Sequence, residues 1–287
     1  MALKDLLVQV DQTEGALVRL RLAADLARRN GSRLTALFVR ELDPQQVHAQ
    51  SMGEFGLVSA ADMNRDSRRN VQTADEIAQG LARELDALKL KFALAVELQS
   101  VEGSAASVVP QHARFADLCI LSQQTRGDAV SPGYTFSEEV LFSAGRPVIF
   151  IPAGGTYATL GRHILFAWNS SRACARALND ALPLIEQAER ITVLAINPAQ
   201  YMERYGALAP EQIVEHIRRH NPAAAGIRLD NVPRQSIAAV IQSEAGRVGA
   251  DLIVAGAFGH PKLWEQVMGG VTRDLLASMT LPILMSY

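Results

Sequence analysis

The sequence predicts an α/β protein made of two tandem Rossmann-like domains, each with an open, parallel-type sheet of five strands flanked by helices. Short runs rich in Val, Ile and Leu alternate with stretches of helical periodicity, which is typical of strand–helix units in a parallel sheet. The run ADLCILS at 116–122 returns as ADLIVAG at 250–256, an offset of 134 residues. A length of 287 residues also fits about two domains. These observations together indicate a tandem duplication.

In the first half, the run Leu6–Val10 predicts the opening strand, and a helical pattern follows it. A loose segment occupies 43–65. After it, apolar residues three or four apart predict a long amphipathic helix over 67–90, an insertion relative to the second half: Val71, Ala74, Ala78, Leu81, Leu85 and Leu88. The repeated run and the proline-bearing run at 146–151 supply later strands.

In the second half, the predicted strands lie at about 163–168, 191–196, 227–232, 251–256 and 282–286. Helices fill the gaps. Their clearest inward stripes are Gln212, Ile213, Val214 and Ile217, then Ile237, Val240, Ile241 and Val248 after Ser236 as an N-cap. Between the halves, Pro, Gly and Thr at 152–161 mark a linker. The predicted domains are therefore 1–153 and 160–287.

The composition excludes several classes of protein. Hydrophobic residues make up 48% and charged residues 20%, so the chain can bury cores and is not disordered. A net charge of −2 offers no long-range field for a nucleic acid or an anionic membrane, so we expect neither as a partner. The longest apolar runs are far shorter than a membrane span, and the N-terminus does not read as a signal peptide. Two cysteines fit reduced core residues, and we expect a cytoplasmic protein.

Four glycines lie at or after the end of the strand predicted at 251–256, within 15 positions: Gly256, Gly259, Gly269 and Gly270. Because glycine has no Cβ, phosphate oxygens can approach its backbone N–H groups closely. The helix that opens at Gly270 adds an anion-binding N-terminus, with Thr272 as a candidate hydroxyl donor. The pattern suits a di- or triphosphate. The alternative is that these glycines only turn the chain.

This segment resembles the nucleotide motif of the universal stress protein family, in which Gly, two residues, Gly, nine residues and Gly precede Ser or Thr. Gly256, Gly259 and Gly269 match it, whereas Gly270 stands at the hydroxyl position. The resemblance extends over both halves. It implies an ATP-type adenine nucleotide, with or without Mg²⁺, and this set of binding residues: Asn169, Ile196, Gly256, Gly259, Gly269, Gly270, Val271 and Thr272.

The first half fits the resemblance less well. Asp11 and Val39 take the places of Asn169 and Ile196 near the base and ribose. The three motif glycines, however, are replaced by Ser122, Thr125 and Tyr134, in a loop that is one residue shorter. We therefore expect one nucleotide per chain, bound in the second half.

Other candidate sites are weaker. His216 and His220 have the spacing of two zinc ligands on a helix, but Ile217 stands where a metalloprotease needs Glu, and a solvated helix face explains them better. His260 lies inside the glycine segment, where an exposed loop histidine is as plausible as a phosphate contact. Neither a catalytic residue nor a metal site is predicted.

The leading hypothesis is a tandem universal stress protein, a cytoplasmic nucleotide-binding regulator in the stress response. The final strands of the two halves, 148–151 and 283–286, are apolar edges that we expect to pair inside one chain. A further homodimer and an unknown protein partner are compatible with this hypothesis. The alternatives are a ligand-free dimerising scaffold and a slow ATP hydrolase.

Overall fold

The computed structural model describes residues 2–13, 15–40, 60–123, 129–131, 134–205, 209–233, 237–258 and 270–287. In its first half the strands are β1 Asp5–Val10, β2 Arg33–Arg40, β3 Val96–Glu102, β4 Leu118–Ser122, β5 Ala129–Ser131, β6 Tyr134–Thr135 and β7 Val148–Ile151. The helices are α1 Gly15–Asn30, α2 Ala60–Phe92, α3 Ala105–Ala113 and α4 Phe136–Ser143.

The second half repeats the alternation of five main strands with helices, with two described helices in the place of α2. Its strands are β8 His163–Trp168, β9 Arg190–Ile196, β10 Ala224–Leu229, β11 Leu252–Gly256 and β12 Ile283–Ser286. Its helices are α5 Arg172–Ile185, α6 Pro198–Tyr205, α7 Pro210–Arg218, α8 Ile237–Val248 and α9 Gly270–Ser278. The predicted α/β class with five main strands per half is therefore confirmed.

A single ten-stranded sheet runs through both halves, in the order β10-β9-β8-β11-β12-β7-β4-β1-β2-β3. Neighbouring strands are parallel except at the centre, where β12 pairs antiparallel with β7, with Leu284 opposite Ile149. We call this central pairing the seam. It is the pairing that the sequence predicts for the two final strands, and it leaves neither apolar edge open to other chains.

Helices cover both faces of the sheet. One buried cluster joins the sheet to α1, α2, α5 and α7, and the other joins it to α3, α4, α8 and α9. Both clusters contain residues of both halves, as Leu34 and Val254 show for the first. Hydrophobic burial, the main driving force of folding, therefore extends across the seam on each face.

One predicted strand is displaced in the structure. The pattern placed a strand at 227–232, but β10 spans Ala224–Leu229. The reason lies in the helix above it, because a Cβ on Gly226 would come 3.0 Å from Cγ2 of Val214 in α7. Small residues at the start of β10 make room for α7, and a hydrophobicity pattern cannot recognise them as a strand.

The long helix predicted over 67–90 is confirmed as α2, with bounds Ala60–Phe92. Leu81, Leu85 and Leu88 of its stripe are buried, whereas the side chains of Val71 and Ala74 lie outside the described part of the chain. Residues 152–162, between β7 and β8, carry no helix or strand. The domain limits at 153 and 160 stay a prediction.

Two aspartates in the repeated run, 134 residues apart, make equivalent contacts in the two halves. Asp117 accepts hydrogen bonds from the backbone N–H groups of Lys4 (2.7 Å) and Asp5 (3.0 Å), at the start of β1. Asp251 does the same for Arg162 (3.1 Å) and His163 (3.0 Å), at the start of β8. Each aspartate thus fixes the start of the first strand of its own half.

His163 should make the stability of the fold depend on pH. It is 6% exposed, and its Nε2 lies 3.1 Å from the Thr192 hydroxyl. Burial, together with nearby Arg190, lowers the pKa of His163 below its ordinary value of 6.5. Since the native state holds this proton less tightly than the unfolded chain, stability decreases as the pH falls below about 6.5. His163→Gln should reduce that decrease in urea titrations between about pH 7 and pH 5, and an unchanged slope would contradict the prediction.

Candidate functional site

The candidate site lies at the carboxyl ends of the strands of the second half. β8 is flanked by β9 on one side and β11 on the other, so the strand order reverses beside it. Open α/β sheets bind ligands in the crevice at such a switch point. Trp168 lies opposite Ala195, and Ala255 opposite Ala167, so Asn169, Ile196 and Gly256 meet at one edge.

Asn169 turns the chain from β8 into α5. Its Oδ1 accepts from the backbone N–H of Ser171 at 3.1 Å, and the Ser171 hydroxyl accepts from that of Cys174 at 3.1 Å, capping the helix. Ser170 between them has a φ of 60°, in the left-handed region. Within the described residues, Asn169 Nδ2 makes no hydrogen bond. This side of the amide is available to a ligand.

Half-buried apolar side chains line the same edge. Ile196 is 8% exposed, and Ala167, Val232, Phe258 and Val271 pack against the buried cluster that contains it. Apolar walls with a few polar groups are typical of small-molecule sites. The edge of the second half therefore offers an apolar surface next to the Asn169 amide.

Asn197 shapes this edge, and sequence reasoning missed it. Its side chain donates to Val232 O at 2.6 Å and accepts from Val232 N at 2.9 Å. Its φ of 49° is left-handed, a conformation in which Asn is several-fold enriched. An Asn directly after a buried strand could have signalled this role. The two bonds hold the segment after β10 against the end of β9.

Gly256 has a packing role of its own. A Cβ at this position would lie 2.3 Å from the backbone N of Cys174 and 2.5 Å from the carbonyl carbon of Ala173. Only glycine allows the end of β11 to lie this close to the first turn of α5. A side chain here would displace the helix, whether or not phosphate binds.

The start of α9 supplies the remaining described residues of the predicted site. Thr272 is buried, and its hydroxyl oxygen accepts from the backbone N–H of Phe258 at 3.2 Å, so this side chain joins the two sides of the glycine segment. Gly270 is exposed, and a Cβ there would come no nearer than 3.9 Å to Asp274. Gly259 and Gly269, like His260, lie outside the described residues.

The corresponding corner of the first half is filled by an ion pair. Asp11 accepts from the backbone N–H of Thr13 at 2.9 Å, and its other oxygen pairs with Arg19 Nη2 at 2.6 Å. The Arg19 side chain is 1% exposed, and its Nε donates to Gln9 O at 3.2 Å. Burial lowers the pKa of Arg19, and Asp11 opposes that change. Asp11 is therefore already paired with the buried guanidinium of Arg19.

Among the described residues of the second half, no such cation occupies the equivalent place. β1 and β8 begin 158 residues apart, at Asp5 and His163, and the same offset takes Asp11 to Asn169 and Arg19 to Ala177. Ala177 is fully buried. Of the other first-half positions, Ser122 ends β4 and Val39 is half-buried, whereas Thr125 and the Tyr134 side chain lie outside the described part of the chain.

The remaining candidates gain little from the structure. The rings of His216 and His220 lie 5.3 Å apart, but the described residues contain no group of three or more metal-ligating side chains. Burial raises the pKa of the Cys119 thiol to about 12, so it is not a nucleophile.

Two surface grooves of about 330 and 320 Å³ lie away from Gly256 and α9, although Trp168 lines the smaller one. Among the described helices, none has both the length and the apolar character of a membrane span.

Comparison with known proteins gives no match in sequence, either to a family model or to a curated protein. Solved structures match over nearly the full chain. A universal stress protein from Archaeoglobus fulgidus covers 98% of this chain and 95% of its own, at 14% identity and a TM-score of 0.72. A protein from Pseudomonas aeruginosa, described as a candidate universal stress protein, covers 99% of this chain and 93% of its own, at 15% identity and a TM-score of 0.56.

A second protein from Pseudomonas aeruginosa, described as functionally unknown, covers 99% of this chain and 92% of its own, at 16% identity and a TM-score of 0.56. At such low identity, these likenesses concern the fold. They cover both of the halves described above. The chain therefore has the α/β fold of the universal stress proteins, extending over both of its halves.

Proposed function

We propose that this chain is a nucleotide-binding regulatory protein of the universal stress protein family, and that the second half binds ATP or another adenine nucleotide. One observation carries the proposal. At the switch point of the second half the Asn169 amide keeps a donor without a partner among the described residues, whereas Arg19 fills the matching corner of the first half. A polar group that, among the described residues, keeps an unpaired donor in one half and is ion-paired in the other supports a single ligand site.

The described residues suit the parts of such a ligand. Asn169 Nδ2 can donate to an acceptor on the base or ribose, and Ile196, Val232 and Val271 can cover the apolar ring. The N-terminal N–H groups of α9 favour phosphate. The Asp274 carboxylate lies beside Gly270 and would repel phosphate alone, so a bound Mg²⁺ fits the site better than bare phosphate.

In this proposal the ligand acts through conformation. A nucleotide bridging Asn169 and the N-terminus of α9 stabilises whichever arrangement of the glycine segment 256–270 binds it best. The surface around that segment then differs between the bound and free protein, and a protein partner can distinguish the two states. A cytoplasmic location and a further dimer of whole chains belong to the same proposal.

Titration with ATP and Mg²⁺ tests this proposal. We expect saturation near one nucleotide per chain in calorimetry, because only the second half keeps the glycines and an unfilled corner. Gly259→Asp should abolish binding, since its carboxylate would repel phosphate. Ser122→Val, at the first-half position that matches Gly256, is the control and should bind as the wild type does.

Other stoichiometries would contradict the assignment. Two equivalents would show that the first half also binds, and loss of binding in the Ser122→Val variant would show that the first half, and not the second, holds the site. Heat-denatured protein provides a second readout, because released material absorbing near 260 nm can be identified as ATP or ADP. ADP that accumulates with turnover would favour a slow hydrolase.

The seam favours a second candidate function, a ligand-free scaffold. Gly256 and Thr272 already have packing roles that need no ligand. Both faces of the sheet also carry buried clusters that extend across the seam. If no nucleotide binds in the titration and none is released on heating, the scaffold is the better conclusion.

A further inference from the structure

Helix α4 of the first half contacts Phe258, which lies near the start of the glycine segment of the second half. The Phe142 ring stacks on the Phe258 ring, with centroids 4.6 Å apart and planes 28° from parallel. The Tyr287 ring meets Phe142 edge-on at 4.9 Å. Phe258 lies two residues after Gly256, so a side chain of the first half packs directly against the glycine segment of the second.

Phe258 needs such support because its backbone conformation is unusual. Its φ is 51°, in the left-handed region that bulky residues rarely adopt. The backbone on either side of it is fixed as well, since Ala257 N donates to Ser286 O at 2.8 Å and Phe258 N to the Thr272 hydroxyl at 3.2 Å. The aromatic stack adds a side-chain contact to these two backbone hydrogen bonds at Phe258.

Helix α4 also contacts the segment just after the predicted loop. Glu138 is 1% exposed, and its Oε1 accepts from Arg273 Nε, in the first turns of α9, at 2.5 Å. Its Oε2 accepts from the backbone N–H of Thr135 at 2.9 Å, which caps α4 itself. One buried carboxylate thus ties the start of α4 to the start of α9.

The two partners of this ion pair occupy equivalent positions in the two halves. Glu138 and Arg273 are 135 residues apart, as are Val148 and Ile283 at the starts of β7 and β12. Pairing of two identical first halves would therefore bring two buried carboxylates together, and pairing of two second halves would bring two guanidinium groups together. The unlike pair favours contact between a first half and a second half.

We propose that α4 positions the nucleotide site of the other half, with Phe142 and Glu138 as positioning residues for the two ends of the glycine segment. This inference rests on the proposed function. The first half then contributes to binding without touching the ligand, because it holds Phe258 before the motif and Arg273 after it. Its own filled corner at Asp11 and Arg19 is compatible with that supporting role.

Substitution of Phe142 tests the inference in the full-length protein. Phe142→Ala should raise the Kd for ATP with Mg²⁺ about two- to tenfold, the range that corresponds to loss of a stacked aromatic pair. Phe142→Tyr should keep the stack and bind as the wild type does. Leu141→Ala is the matched control, because Leu141 is buried in the same helix but is not one of the stacked rings. It should lower the unfolding midpoint and leave the Kd unchanged.

The ion pair is tested in the same titration. Arg273→Gln removes the cation that faces Glu138 and should raise the Kd, whereas Arg273→Lys should restore much of the affinity. If Phe142→Ala unfolds, Phe142→Leu keeps the core filled and removes only the stack. A wild-type protein that binds no nucleotide would overturn the proposed function and this inference together. A wild-type protein that binds, with Phe142 and Arg273 variants that bind equally well, would overturn the inference alone.

Discussion

Gly256→Ala is expected to destabilise the chain by about 3 kcal/mol, at the upper end of the usual cost of overpacking a core. The added Cβ would lie 2.3 Å from the backbone N of Cys174, and backbone in the first turn of a helix cannot move aside as a flexible side chain can. Gly256→Val should prevent folding. Urea unfolding followed by circular dichroism measures the first effect, and soluble yield measures the second.

Gly246→Ala provides the matched control for this prediction. Gly246 lies inside α8, and a Cβ there would meet no atom within 4 Å. Alanine at an unobstructed helix position should stabilise the protein by about 0.5–1 kcal/mol, because glycine costs more backbone entropy. If Gly256→Ala were as stable as Gly246→Ala, the close approach of β11 to α5 would be wrong.

This prediction changes how variants of the glycine motif should be interpreted. Loss of nucleotide binding in Gly256→Val would be expected from misfolding alone and would say nothing about phosphate. Gly259→Asp tests phosphate binding more directly, provided that its unfolding free energy is measured alongside the Kd. Packing alone requires glycine at position 256. The presence of Gly256 is therefore not in itself evidence for nucleotide binding.

The sequence predicted the fold well where one local pattern determines an element. The apolar run of β8 was placed at its observed bounds, and the repeated Ala-Asp-Leu run marked equivalent strands because each aspartate fixes the start of its half. The prediction placed β10 three residues too late, because Ala224 and Gly226 at its start are small. A Cβ on Gly226 would come 3.0 Å from Val214 of α7. That requirement comes from a contact between elements and leaves no periodic signal.

The candidate site could be located from the sequence only in outline. Strand ends and glycines indicated one edge of the sheet, since parallel strands bring their carboxyl ends together, and the structure brings Asn169, Ile196 and Gly256 to that edge. The Arg19–Asp11 pair was missed, because nothing in the spacing of these two residues distinguishes a buried ion pair from two solvated charges. The stack of Phe142 on Phe258 joins residues more than a hundred positions apart and became visible only with the seam.

Transfer of the first-half ion pair into the second half should abolish nucleotide binding. The double variant Asn169→Asp with Ala177→Arg places a carboxylate and a guanidinium at the positions equivalent to Asp11 and Arg19. In the first half this pair is formed with Arg19 only 1% exposed, so the same geometry is accessible to the fold. The new carboxylate at position 169 has no N–H to donate, and the guanidinium would occupy its oxygens, so the Kd for ATP with Mg²⁺ should rise about 100-fold or more.

The single variants show which part of the change matters. Asn169→Asp alone should still bind, because it restores the residue that the resemblance associates with nucleotide binding. Ala177→Arg alone should be strongly destabilised, by about 3–5 kcal/mol, since it buries a cation without a partner. The reciprocal change in the first half, Asp11→Asn with Arg19→Ala, should leave the stoichiometry at one, because Ser122 stands where the first glycine of the motif would be. A folded Asn169→Asp, Ala177→Arg protein that binds with the wild-type Kd would place the nucleotide elsewhere, because a ligand at this edge would have to share residue 169 with the new guanidinium.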